Sequence, residues 1–387
     1  MKQKFSLICI VMMTFLLTPL LSTYGISYGL GESFDGIDNY ESLYENSSFT
    51  DIKTHFARKP IIKMSALSVL RGMGNHKFYP NHKLTKEQAV VFIVRLLGLE
   101  DESQIVGEKL TKEMDTGAYR FKSPQDDWLE GYLKVAQSKS IITREEVKKI
   151  VELSDEQKDK IEEKLAKKML VYDQNRNLTD EQIENIEKSI RKNLERSYTW
   201  GQAANREEIA LWVGRMLQIT PINGEPQQRI YTMKDWKSMK TADIPIIEAI
   251  LQKGIMTKNS KGYFSPKATV TRGQMAAILD KASEEILKKR GYKTLSGTVE
   301  EIENYVTSEQ DMITRDLYGV ENRIITINND DGSYTEITAK KSSINDLNKG
   351  FSVYKYGILG LPKDIQVDDY VKYFINAEGK IVFVEVE

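Results

Sequence analysis

The chain has 387 residues, room for two to four domains, and its 40% hydrophobic and 29% charged content is that of an ordinary soluble globular protein. Lys and Arg number 55 against 56 Asp and Glu, so bulk charge gives no support to a nucleic-acid or polybasic membrane role. The single cysteine, Cys9, sits in the N-terminal apolar segment, which excludes thiol catalysis, disulfide scaffolds and cysteine-based metal sites elsewhere.

Lys2 and Lys4 precede an uncharged apolar run from Phe5 to Leu21, and small residues follow from Ser22 to Ser27. That is the order of a secretory signal peptide over residues 1–27. The run is short for a membrane span and Pro19 breaks it, so cleavage is expected between Gly25 and Gly29, leaving no membrane segment. Residues 28–48 lack a period and read as a linker.

Residues 49–100 read as helix, loop, helix. Phe49-Thr50-Asp51-Ile52 leads into an apolar-periodic helix through Leu70, a Gly-rich turn from Arg71 to Gly74, and Phe78-Tyr79-Pro80. Thr85-Lys86-Glu87-Gln88 then opens a second helix with an apolar stripe at Ala89, Phe92, Ile93, Leu96 and Leu97. Glu100 to Gln125 reads as a polar connection and Asp126 to Ile142 as a helix carrying Trp128 and Tyr132.

The opening module recurs from Tyr231 to Ser283. Lys234-Asp235, Phe264-Ser265-Pro266 and Thr271-Arg272-Gly273-Gln274 stand where Thr50-Asp51, Phe78-Tyr79-Pro80 and Thr85 to Gln88 stood. A third version of the second helix opens at Asn205-Arg206-Glu207-Glu208, and in all three a basic residue follows ten positions after the cap: Arg95, Arg215 and Lys281. Three stacked copies of so small a unit bury a shared core that one could not.

Thr85 and Asn205 lie 120 positions apart, Asn205 and Thr271 only 66. The surplus matches the charged stretch 144–197, which reads as an insertion of two or three helices. It carries further capping boxes at Ser154 to Gln157 and Thr179 to Gln182, and Thr143 to Glu146 also fits the pattern. The expected division is therefore 49–100, 101–220 with the insertion, and 221–292. From Thr294 onward the apolar period becomes two, and residues 293–387 are expected to form a small β-barrel or sandwich. Asn328 to Gly332 reads as a hairpin turn, because Ile327 stands where a calcium loop needs its first carboxylate.

Phe-x-Asp-Ile, the Gly turn, Phe-x-Pro and Thr-Lys/Arg-x-Gln/Glu after a signal peptide resemble the S-layer homology (SLH) family. The resemblance implies a pseudo-threefold helical bundle of three repeats that binds secondary cell-wall polysaccharide, often carrying an acidic pyruvate ketal. An exported, non-enzymatic protein anchored to a Gram-positive wall without cofactor is the implied function. Gln88 and Gln274 replace the acidic residue of the family motif, and Phe56 replaces its usual Trp. The alternative is a degenerate scaffold that engages a surface protein partner through the insertion or the β domain.

Thr85, Asn205 and Thr271 are explained as N-caps, with Gln88, Glu208 and Gln274 completing the boxes. Lys86, Arg206 and Arg272 are not. Each occupies the first helical position, where a cation opposes the helix dipole. An anionic ligand at the helix starts, with free backbone N–H groups beside it, would account for all three. They are the candidate glycan-binding residues, joined by Asp51 and Asp235, which also suit orienting the first helix of each module. His55, His76 and His82 match no metal spacing and read as solvated loop residues. Trp128 and Trp212 lie on apolar stripes and read as core.

Overall fold

The computed structural model describes residues 31–115, 127–151, 153, 155–173, 178–199, 201–221, 228–342 and 349–387. The signal peptide with its cleavage point, Cys9, the Ser154 cap and the Trp128 side chain lie outside the described residues.

The segment read as a linker folds. Glu32–Gly36 forms strand β1 and Tyr40–Ser47 helix α1. Helices α2 (Arg58–Ala66) and α3 (Lys86–Leu96) follow where the apolar period placed them. The connection after them contains a helix, α4 (Glu100–Asp115), whose acidic first turn suits the positive end of its dipole. Then come α5 (Asp127–Ser138), α6 (Arg144–Val151), α7 (Asp155–Asp173) and α8 (Asp180–Thr199). The helical half closes with α9 (Arg206–Met216), α10 (Gln228–Tyr231), α11 (Ile244–Gln252) and α12 (Arg272–Lys289).

Three helices end alike. Ser68, Ser140 and Gly254 follow α2, α5 and α11 in the left-handed region, at φ of 60°, 58° and 69°. Each turn closes with an N–H five residues along: Val69 donates to Met64, Ile141 to Ala136 and Ile255 to Ile250. The apolar pairs that follow, Val69-Leu70, Ile141-Ile142 and Ile255-Met256, are all buried.

The stretch 144–197 forms α6, α7 and most of α8. Both competing caps are real: Thr143 is boxed with Glu146 and Asn205 with Glu208. The Thr179–Gln182 box forms as well. Helices α7 and α8 share a small core of Ile161, Leu165, Met169 and Leu194. Helix α6 is tied to α9, where the Glu146 carboxylate accepts from Arg215 (2.6 Å) and from the Trp212 indole (3.3 Å). Trp212 is in the core, 1% exposed.

The remaining strands are β2 (Lys293–Gln310), β3 (Leu317–Asn329), β4 (Tyr334–Ser342), β5 (Ser352–Lys355), β6 (Ile358–Gly360), β7 (Tyr370–Ile375) and β8 (Lys380–Val386). With β1 they make one eight-stranded sheet. Pairing runs β1–β4–β3–β2–β7–β8 and returns to β1, with β5 and β6 added beyond β8. The first strand of the chain thus belongs to the C-terminal sheet, and the helical half is inserted between β1 and β2. β1 has no apolar alternation (Glu-Ser-Phe-Asp-Gly), which is why its sequence reads as linker.

Val299, Ile325, Ile337, Phe351, Val353 and Tyr373 fill the core of the sheet itself. Phe374, Val382 and Phe383 instead join the helical core, together with Ile37 and Tyr40. Lys59 of α2 pairs with Glu385, and Lys63 lies 5.0 Å from the Phe374 ring centre while bonding Asp280 at 2.7 Å. The helices and the sheet are therefore continuous.

β1 is seated tightly. A side chain on Gly36 would place its Cβ 2.5 Å from the Gly350 carbonyl oxygen. Gly36→Val is expected to cost roughly 1–3 kcal/mol through the backbone shift it forces, read as a lower urea midpoint with unchanged helical circular dichroism in the native state.

Candidate functional site

Helices α3, α9 and α12 begin at one place. Leu84, Ala204 and Val270, the residues before their caps, are each 0% exposed. The Leu84 N–H donates to the Val270 carbonyl (2.8 Å), Val270 to Ala204 (2.9 Å), and Ala204 back to Leu84 (2.9 Å). A closed triangle of backbone hydrogen bonds results. The caps form as read: Thr85, Asn205 and Thr271 accept from the N–H three residues on, and Gln88, Glu208 and Gln274 return the bond.

The triangle also occupies the helix starts. The N–H of Lys86 donates to Gln202, that of Arg206 to Ala268 and that of Arg272 to His82. At the second position Glu207 donates to Pro266 and Gly273 to Pro80. The N–H groups expected to meet an anion are spent on carbonyls of the neighbouring segment.

The three cations have the same destination. Arg272 is 3% exposed; its Nε donates to the Phe78 carbonyl and its Nη2 to that of Arg71, both at 2.9 Å. Its guanidinium lies 4.5 Å from the Phe78 ring centre and 5.3 Å from that of Phe92. Burial pushes its pKa down to about 10, against the pull of the Asp51 carboxylate. Arg206 repeats the pattern one unit along, donating to Phe264 (2.6 Å) and Thr257 (2.8 Å) over the Phe264 ring. Burial lowers its pKa too, and Asp235 opposes the shift. Lys86 pairs with Glu208 at 2.8 Å. Each cation is a strut reaching from its own helix to the next unit, and the fork of Arg is suited to two carbonyls at once.

Asp51 and Asp235 hold loops, not helices. Asp51 accepts from the N–H groups of Phe78 (3.0 Å) and Tyr79 (2.8 Å), and Asp235 from those of Phe264 (2.9 Å) and Ser265 (2.7 Å). They fix the left-handed backbone of Tyr79 (φ 56°) and Ser265 (φ 59°).

The residue after each cation distinguishes the seams between units. In α9 it is Glu207, 2% exposed, accepting from the Lys240 N–H (2.9 Å) and pairing with Lys267. In α12 it is Gly273, where an added Cβ would lie 2.5 Å from His55 and 3.0 Å from the Pro80 oxygen. The absent side chain lets the first unit's loop close on α12. At that seam rings reach the surface. Phe56, 70% exposed, packs on His55 (4.5 Å between centres), and Tyr79, 36% exposed, stacks on His82 (4.5 Å, 21°). Asn81 joins the pairs, its Oδ1 3.2 Å from His55 Nε2. In the third unit Ser265 and Lys267 stand in place of Tyr79 and Asn81. Sequence reasoning read His55 and His82 as solvated loop residues, noted Phe56 only as a replacement for the family's Trp, and gave Tyr79 and Asn81 no role; the concentration of every histidine in one unit was the available signal.

In α3 the same position is Glu87, 7% exposed, with Oε2 lacking a hydrogen-bond partner among the described residues. Burial pushes its pKa up to about 7 from 4.5, against smaller opposing contributions from Thr85 and Lys86.

The family model described as S-layer homology domain matches residues 48–90 and 232–276, so the chain carries SLH domains at its first and last helical units. No curated protein matches the chain. Among the described residues no helix is long and apolar enough to cross a membrane. SLH domains mediate association with cell-wall polymers, which supports a general anchoring role for this protein.

Two consequences are measurable. Arg272→Ala leaves two carbonyls without donors and is expected to cost about 2–5 kcal/mol in urea unfolding, with Arg272→Lys recovering part of it. Glu87 binds its proton more tightly folded than unfolded, so its contribution is intact below pH 4.5 and is lost as pH rises through about 7. Glu87→Gln should therefore stabilise the protein at pH 8 by up to about 3 kcal/mol and change little at pH 4, as read by melting temperature.

Proposed function

We propose that the protein is exported and non-covalently anchored to a Gram-positive cell wall by binding secondary cell-wall polysaccharide at the seam between α12 and the first unit. The single observation carrying this reading is the exposed ring cluster of Phe56, His55, Tyr79 and His82 with the Asn81 amide beside it. Apolar ring faces flanked by polar groups suit the alternating apolar and hydroxyl surfaces of a sugar. The two domain matches supply the wall context. The acidic, pyruvylated form of the polymer is the ligand that the SLH resemblance implies. In this reading Arg272, Arg206, Lys86, Asp51 and Asp235 serve binding indirectly, by holding the seams in register.

The segment 101–220 is read as a third, divergent copy. It contributes the Ala204 corner of the triangle, the Asn205 box and the Ser140 turn. Its loop has been replaced by α6, α7 and α8. No catalytic step is assigned to the chain, and export rests on the leader read over residues 1–27.

Sedimentation with purified walls tests this. Binding is expected to intact walls and not to walls chemically stripped of polysaccharide. Each packed ring contributes about 0.5–1.5 kcal/mol, so Phe56→Ala with Tyr79→Ala should weaken binding by about tenfold without lowering the melting temperature. Equal binding to stripped walls overturns the reading.

A further inference from the structure

The hairpin of β2 and β3 is longer than the sheet it belongs to. β2 and β3 pair outward to Gln310 and Leu317, whereas β4 stays with β3 only as far as Val320 and β7 leaves β2 at Thr298. Among the described residues, 307–319 thus form a ribbon of two strands with no third, an arrangement that is marginal on its own in water. Its tip is nevertheless well formed. Asp311 Oδ1 accepts from the N–H groups of Ile313 (2.7 Å) and Thr314 (2.6 Å), and the Asp311 N–H donates to the Asp316 carbonyl (2.9 Å). On this preorganised turn stand Met312, Ile313 and Leu317, 96%, 92% and 73% exposed. Burying side chains of this size is worth roughly 1.5–3 kcal/mol each, and here they project into solvent.

A cavity of about 640 Å³ lies at the base of the same arm, between α1, the strands β2 to β4 and residues 361–363. That size is ordinary for a pocket that accepts a compact ligand. Tyr40, Tyr44, Tyr305, Val306, Leu361 and Pro362 give it apolar surface. Lys340, Lys341 and Lys363 line it as well and form no ion pair among the described residues.

Knob and hole have complementary charge. The tip carries Glu309, Asp311 and Asp316 against one cation, Arg315. The cavity is lined by four cations, Lys340, Lys341, Lys363 and Arg323, against three carboxylates, Glu41, Glu45 and Glu321. An acidic tip is poorly suited to an anionic lipid surface. An arm cannot reach its own cavity, because Met312 lies six positions beyond Val306 along the arm, about 20 Å at 3.3 Å per residue. Two arms lying antiparallel solve this, since each tip then reaches the base of the other, and the contact is self-complementary and closes as a two-fold dimer.

We propose that two copies of this chain pair through these arms, each seating Met312 and Ile313 in the tyrosine-lined, lysine-bearing cavity of the other. The pairing does not rest on the wall-binding reading, and its test contains no wall.

Sedimentation velocity of the purified protein over a range of concentrations should show a species of twice the monomer mass. Met312→Asp with Ile313→Asp changes side chains already in water, so melting temperature and circular dichroism are expected to stay unchanged while the dimer dissociation constant rises at least about tenfold. Lys340→Glu with Lys341→Glu should weaken the dimer likewise, and adding Glu309→Lys with Asp316→Lys should restore it. A monomer at every concentration overturns the proposal, as does a dimer indifferent to the tip substitutions. Growth beyond the dimer overturns the two-fold arrangement, and tip-dependent binding to phospholipid vesicles without dimerisation replaces the partner.

Discussion

Three backbone hydrogen bonds, from Leu84 to Val270, from Val270 to Ala204 and from Ala204 back to Leu84, hold the helical half together. They join segments far apart in sequence, and each corner is wholly buried. Everything near them is set by that closure. The N–H groups at the first position of α3, α9 and α12 fall opposite carbonyls of the adjoining strand-like segment, so a helix start that would otherwise attract an anion is already satisfied. The cation placed there is then free to look sideways: Arg206 and Arg272 find carbonyls of the neighbouring loop, and Lys86 finds the Glu208 carboxylate. The same closure accommodates α6, α7 and α8 between α5 and α9. An insertion that leaves Ala204 at its corner adds only a slowly growing loop-closure cost, and Arg215 and Trp212 moor its first helix through Glu146.

A second closure ties the helices to the sheet. β1 pairs in parallel with both β4 and β8, and its successor Ile37 donates to Gly350 (2.8 Å). The chain therefore enters the sheet, leaves for the helical half and returns. Phe374 and Phe383 on the sheet share a core with the helices, so the sheet is packed against the helical half and not tethered to it by a linker. With Lys59 bound to Glu385 and Lys63 to Asp280, α2 is the element that both halves use.

Local signals in the sequence were reliable where the physics is local. The apolar stripes of α3 and α12, the boxes at Thr85, Asn205 and Thr271, and six of the strands follow from periodicity and capping alone. The charged surplus between Thr85 and Asn205 coincides with α6, α7 and most of α8. What failed was long-range. A cation at the first helical position looks anomalous against its own dipole and becomes sensible only when Phe78, Arg71, Phe264 and Thr257 are in view. Asp51 reads as a helix cap because its true acceptor role serves a loop 27 residues away. β1 was invisible because its five residues are held by parallel neighbours some 300 positions on, not by any alternation of their own.

The position just inside each cap now separates three seams that are otherwise built alike. A carboxylate at Glu207 fills the space between α9 and the last unit and draws in Lys267, which leaves a charged, closed surface. At Glu87 the carboxylate is buried with one oxygen unpaired, and burial raises its pKa toward neutrality. At Gly273 there is no side chain at all, so the two loops carrying His55 and Pro80 come into contact with the helix and turn their rings outward. Equivalent positions with the same backbone geometry thus give a salt bridge, a buried acid and an aromatic face. With the closure carried by the backbone and by the cation struts beside it, the position just inside each cap is left to differ from seam to seam.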